Sequence, residues 1–174
     1  MALSKGEFRV LVEQHAPALY ALAYRLVGDA HEAEDIVQET LRSAWCSRER
    51  FDQERGERAW LASILRRRVV DRWRRSHRVP TPAGDQTLEV AAAAVDPLAL
   101  EYTDEMQHAL AGLSPELRES LLLVVVGELT HHETADLLGV PLGTVLSRVS
   151  RARQKLRKRL LADRQTRSAA AGSS

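Results

Sequence analysis

Apolar residues recur at intervals of three and four through most of the chain, the period of an α-helix with one buried stripe. In residues 3–27 the stripe is Phe8, Leu11, Val12, Leu19, Leu22, Ala23 and Leu26. Pro17 falls inside it. A proline has no N–H to donate and crowds the preceding turn, so the pattern predicts either two helices or one kinked helix. Gly28 and Asp29 then end one helix and cap the next. The second helix is predicted over about 30–46, with Ala33, Ile36, Val37, Leu41, Ala44 and Trp45 inward and Glu32, Glu34, Asp35, Gln38 and Glu39 outward. Residues 47–56 are polar and predict a loop. A third helix follows over about 57–76. Its stripe is Trp60, Leu61, Ile64, Leu65, Val69 and Trp73, which leaves Arg66, Arg67, Arg72, Arg74 and Arg75 mostly outside.

The pattern then breaks. Residues 79–97 hold Pro80, Pro82, Gly84, an alanine run and no basic side chain, too little to build a core, and a flexible acidic linker is expected. Helical spacing resumes over 98–112. Ser114 followed by Pro115 is a helix start, because proline's missing N–H costs nothing in the first turn. That helix is predicted to reach Gly127. Thr130 and Glu133 have capping-box spacing and open a short helix to Leu138. Gly139-Val140-Pro141 is a tight turn, and a last helix runs over about 142–161. The small, polar residues after it are expected to fray. No alternation of period two appears. The expected fold is all-α: helical units at 1–78 and 98–163, a flexible linker at 79–97 and a disordered tail at 164–174.

Within the second unit, Ala135 is small enough for two helices to cross closely. Gly139 lies four residues later in the turn, and Val145 six beyond that, placed to pack into the angle. This is helix-turn-helix spacing. The second helix of the pair offers Thr144, Ser147, Arg148 and Arg151 near its start, with Arg153, Lys155, Arg157 and Lys158 behind. Polar groups early in such a helix reach base edges, and later basic ones hold phosphates. Leu146 cannot donate a hydrogen bond, and either touches a thymine methyl or packs. The bland alternative for the whole motif is an ordinary helical hairpin.

Charge sharpens this picture. The net charge of the 174 residues is +1, but residues 58–78 carry 8 basic side chains against 1 acidic, and residues 147–174 carry 9 against 1. Two basic blocks thus sit in an otherwise acidic chain, and such blocks can neutralise phosphates. The first also lies beside aromatics, a combination suited to unpaired bases. Trp60 and Trp73 lie on the apolar stripe and are core residues on this reading. Phe51, in the loop, is open to either role.

The remaining chemistry narrows the class. Cys46 is the single cysteine, so no internal disulfide forms, and a reducing compartment fits. No apolar run is long enough to span a bilayer, and the N-terminus lacks the pattern of a signal peptide, so a cytoplasmic protein without membrane insertion is expected. His131, His132 and Glu133 lack the i, i+4 histidine pair of a zinc helix, so no metal is expected. No glycine-rich phosphate loop or catalytic triad signature occurs. No catalytic residue and no cofactor are assigned.

Five stretches, in order, carry a family resemblance: YALAYRLVG (20–28), AEDIVQETLRSAW (33–45), AWLASILRRRVVDRWRR (59–75), LSPELRESLLL (113–123) and GVPLGTVLSRVSRARQKL (139–156). Over about residues 5–161 the chain resembles the extracytoplasmic-function (ECF) sigma factors. The resemblance implies two helical domains, sigma domain two at 1–78 and sigma domain four at 98–163, and no enzymatic activity. It implies that Asp35, Gln38 and Glu39 face the core RNA polymerase, and that the loop 47–56 and the helix from Trp60 melt and read the −10 element. Phe51, Arg66, Arg67, Arg72, Arg74 and Arg75 are the candidate contacts there. It implies that the last helix reads the −35 element through Thr144, Ser147, Arg148, Arg151, Arg153, Lys155 and Lys158. An anti-sigma factor is an implied partner beside polymerase and promoter DNA. Arg67 departs from the family's usual asparagine, and Leu146 from a frequent basic residue. Two other classes remain in view: a regulator with one helix-turn-helix and an N-terminal helical sensor domain, and a helical adaptor, which leaves the two basic blocks unexplained.

Overall fold

The computed structural model describes residues 3–51, 54, 56–76 and 98–171. The expected linker, 79–97, lies outside the described residues. Seven α-helices occur among the described residues: α1 (Lys5–Val27), α2 (Ala30–Ser47), α3 (Glu57–Ser76), α4 (Leu98–Ala111), α5 (Pro115–Val125), α6 (His131–Leu138) and α7 (Leu142–Ala171), with a 3-10 turn at Arg48–Arg50.

Helix α1 is continuous through Pro17, so of the two expectations the single helix holds. An interior proline costs about 3 kcal/mol in isolation. Burial of Leu11, Leu19, Leu22, Ala23 and Leu26 on the same helix outweighs it, since each buried leucine contributes roughly 1.5–3 kcal/mol. The helix starts at a full capping box, in which the Glu7 N–H donates to Ser4 Oγ (3.3 Å) and the Ser4 N–H donates to Glu7 Oε2 (2.8 Å). These bonds hold the Glu7 carboxyl below its ordinary pKa. Gly28 ends the helix at φ 81°, where a side chain would be strained, and Asp29 caps α2 by accepting from the Glu32 N–H at 2.8 Å.

Helices α1, α2 and α3 pack on one another, as do α5, α6 and α7, and α4 packs on α7. The stripes that the spacing predicts are the ones buried: Ala33, Ile36, Val37, Leu41 and Ala44 on α2, and Leu61, Leu65 and Val69 on α3. Thr40 is buried among them, and its hydroxyl donates to the Ile36 carbonyl at 2.7 Å, so that hydroxyl is not left unpaired. Trp60 and Trp73 are partly buried against the core, in line with their place on the stripe.

The two units do not stand apart. Their buried residues form one cluster, from Leu11 on α1 to Ala152 on α7, and α1 meets α5 while α3 meets α6. At the far end, α7 continues to Ala171, ten residues past the expected stop at 161. The arginine, glutamine and alanine residues of that stretch favour helix over coil.

Candidate nucleic-acid and polymerase interface

The turn between α6 and α7 fixes the position of the last basic block. Thr130 and Glu133 form the expected capping box, with the Glu133 N–H donating to Thr130 Oγ1 at 3.1 Å and the Thr130 N–H to Glu133 Oε2 at 2.7 Å. Gly139 closes α6 in the left-handed region (φ 65°), and the Val140 N–H reaches the Ala135 carbonyl at 3.1 Å. Ala135 is 6% exposed and Val145 fully buried, so the small residue and the valine meet inside the angle as the spacing requires.

Val145, Val149 and Ala152 bury one face of α7, which decides where the rest of the helix points. Arg151, Arg153, Lys155 and Lys158 are exposed, and Thr144, Ser147 and Arg148 are half-buried. Ser147 and Arg151 share the outward face. The structure adds three positions that the sequence reading did not single out: Gly143, Ser150 and Gln154 are exposed on the same side. Gly143 and Gln154 lie two positions off the buried 145–149–152 register, and Ser150 lies between two of its members. They are uncharged, and attention to charge passed over them.

Helix α3 divides its arginines. Arg67, Arg74 and Arg75 are exposed. Arg72 is half-buried: its Nε pairs with Glu32 Oε1 at 2.9 Å and its Nη2 with Asp35 Oδ2 at 3.3 Å, tying α3 to α2. Arg68 likewise turns to α2, donating from Nη2 to Ser43 Oγ at 2.6 Å. On α2, Asp35 remains exposed beside Arg72, while Gln38 and Glu39 are half-buried on the same side.

Phe51 is turned inward. It is 6% exposed, and its ring lies 4.9 Å from that of Trp60, tilted by 53°, so the side chain packs the end of the 3-10 turn against α3.

Two family models match the chain: Sigma-70 region 2 over residues 11–79 and Sigma-70 region 4 over residues 103–156. The ECF RNA polymerase sigma factor SigW of Bacillus subtilis (strain 168) is 32% identical over 173 residues, covering 91% of this chain and 92% of that protein. The chain belongs to the ECF RNA polymerase sigma factors. The sigma factor is also 37% identical to SigE of Mycolicibacterium smegmatis over 152 residues, 84% of this chain but only 59% of that relative's length. Among solved structures, RpoE of Bartonella quintana, in complex with the anti-sigma factor NepR, matches with a TM-score of 0.71 at 29% identity, covering 90% of this chain and 98% of that one. CnrH, in complex with the cytosolic domain of CnrY, matches with a TM-score of 0.68, also at 29% identity, over 92% of this chain and 91% of that one. These matches run through both helical units and do not favour the sensor-regulator class.

In this sigma factor the two units meet through polar contacts that involve α3. Arg66 Nε pairs with Glu119 Oε1 on α5 at 2.7 Å, and Arg58 Nη1 with Glu128 Oε2 at 2.8 Å. Glu128 has φ 54°, a left-handed backbone uncommon outside glycine, and its carboxylate meets α3 from that turn. Gln107 Nε2 donates to the Arg25 carbonyl at 3.2 Å, at the end of α1. The Arg118 guanidinium lies 5.9 Å from the Trp73 ring, and burial there lowers its pKa. Between the units remains a cavity of about 490 Å³, whose lining includes His15, Leu19, Leu22, Arg58, Leu61 and Glu128.

Among the described residues no group of three or more histidine, cysteine or carboxylate side chains could hold a metal ion, and no helix is long and apolar enough to cross a membrane.

Proposed function

We propose that this sigma factor binds core RNA polymerase through the polar face of α2, opens and reads the −10 element with α3, and reads the −35 element with α7. Asp35, Gln38 and Glu39 supply the polymerase contact. Arg67, Arg74 and Arg75 face the −10 region, joined by Arg66 once it leaves Glu119. On α7, Thr144, Ser147, Arg148 and Arg151 address base edges, and Arg153, Lys155 and Lys158 hold phosphates. The observation that carries this reading is the outward face of α7: a helix-turn-helix second helix, with its apolar residues buried and its basic ones exposed. The protein acts in the cytoplasm, catalyses no reaction, and is silenced by an anti-sigma factor, a reading supported by the complex of RpoE with the anti-sigma factor NepR.

The closed arrangement bears on mechanism. Arg66 is occupied by a carboxylate of the other unit, so free sigma factor has one −10 contact fewer. Two weak DNA surfaces joined by a tether gain from each other only when a third body fixes their separation. Core polymerase is that body. Promoter fragments should therefore bind the sigma factor poorly alone and tightly in the presence of core polymerase. Equal affinity in both conditions, measured by fluorescence anisotropy, would contradict the reading and favour a self-sufficient DNA-binding regulator.

A further inference from the structure

Leu146 is 47% exposed on α7, although a leucine there could be spared that exposure by a polar residue at no cost to the core. Single exposed apolar residues are ordinary on protein surfaces, and Val10, Val125 and Leu161 are exposed to a similar degree. Leu146 differs from these in its setting. It sits one position after the buried Val145 and one before Ser147, in the first turns of the helix that follows the Gly139 turn. Ser150 lies four residues on and Arg153 seven, so Leu146, Ser150 and Arg153 form one exposed edge of the helix. One turn earlier, nothing lies within 4 Å of where a side chain on Gly143 would begin. The start of the helix is thus bare, and a duplex can approach its backbone closely.

Major-groove edges present two acceptors at guanine, a donor at cytosine, one of each at adenine, and at thymine an acceptor together with a methyl group. An aliphatic side chain without hydrogen-bonding capacity fits only the methyl. We infer that Leu146 is a specificity-determining residue of the −35 element, seated against the C5-methyl of a thymine on one strand. The inference rests on the reading that α7 enters the major groove at that element. Arg153 on the same edge holds the adjacent phosphate and so fixes the height at which the leucine meets the base. Leu146 thereby selects for thymine where a basic residue at this position would select for phosphate or guanine.

The test uses holoenzyme reconstituted from core polymerase and the full chain, with the −35 sequence first selected from a random library. Each thymine of the selected element is replaced in turn by deoxyuridine, which removes the methyl and leaves every hydrogen bond in place. One such replacement should weaken wild-type binding about fourfold, the effect of one buried methyl-sized group. The same replacement should leave Leu146→Ala binding unchanged, and the variant should fold normally because the side chain is exposed. The inference is overturned if no deoxyuridine position affects the wild type, if the selected element contains no thymine, or if Leu146→Ala is as sensitive as the wild type. Failure of the underlying reading looks different: the holoenzyme would then bind selected and scrambled −35 sequences equally, and both statements would fall together.

Discussion

Arg66 on α3 and Glu119 on α5 are joined across the two units by paired hydrogen bonds, Nε to Oε1 at 2.7 Å and Nη2 to Oε2 at 3.4 Å. The side chains retain 33% and 18% of their exposure, so the pair is neither fully solvated nor fully desolvated. It joins a candidate −10 contact to the domain that carries the −35 reader. On the proposed reading, one of the contacts between the units therefore also holds an arginine that would face the −10 element.

Loss of this pair should open the protein. Glu119→Ala removes on the order of 1 kcal/mol from the closed form, about a fivefold shift toward separated units. The exposed Cys46 supplies one dye site and Gln154→Cys a second, so energy transfer across the units reports the change. Transfer should fall in Glu119→Ala, and in the wild type as salt screens the pair. Unchanged transfer in both cases would mean that the remaining contacts and the apolar cluster hold the units together without this pair.

Phe51→Ala should act on stability before it acts on DNA. The ring is buried against Trp60, and truncating a buried phenylalanine costs about 3–5 kcal/mol. Urea denaturation should show a large loss, with Phe51→Leu much milder. A variant that unfolds like the wild type yet fails to open promoters would restore Phe51 as a direct base contact.

The helical stripes and the Ala135–Gly139–Val145 turn were legible because each depends on neighbours a few residues away in the chain. Local spacing determined which face of α7 turns inward, and with it the outward position of Ser147 and Arg151. The roles of Arg66, Arg72 and Phe51 were not legible in the same way. Arg66 and Glu119 are 53 residues apart, and Arg72 and Glu32 are 40 apart. No periodicity reports such pairs. An arginine off the apolar stripe looks solvent-facing until the fold brings a carboxylate to it. Pro17 shows the converse: a strong local signal for a break, overridden by the burial of the residues around it.

The polymerase contact is best tested at Glu39. Asp35 also binds Arg72, so Asp35→Arg would set two arginines together and disturb the α2–α3 bridge. Glu39 forms no ion pair among the described residues, and its reversal leaves that bridge intact. Glu39→Arg should weaken core polymerase binding tenfold or more, about 1.4 kcal/mol, with an unchanged circular dichroism spectrum. Wild-type affinity for core would move the polymerase contact off this face of α2.

The most direct measurement is transcription in vitro from a library of random upstream sequences, with core polymerase and either the wild-type chain or Arg151→Ala. Core polymerase with the wild type should initiate from templates that share two sequence elements at a fixed separation. Arg151→Ala should initiate from templates in which the −10 element is kept and the −35 preference is altered or lost. Arginine pairing to a guanine edge is worth about 1–3 kcal/mol of discrimination, enough to show as a changed preference in the selected sequences. Transcription no greater than with core polymerase alone would contradict the central claim, and an unchanged −35 preference with uniformly lower output would make Arg151 a phosphate contact.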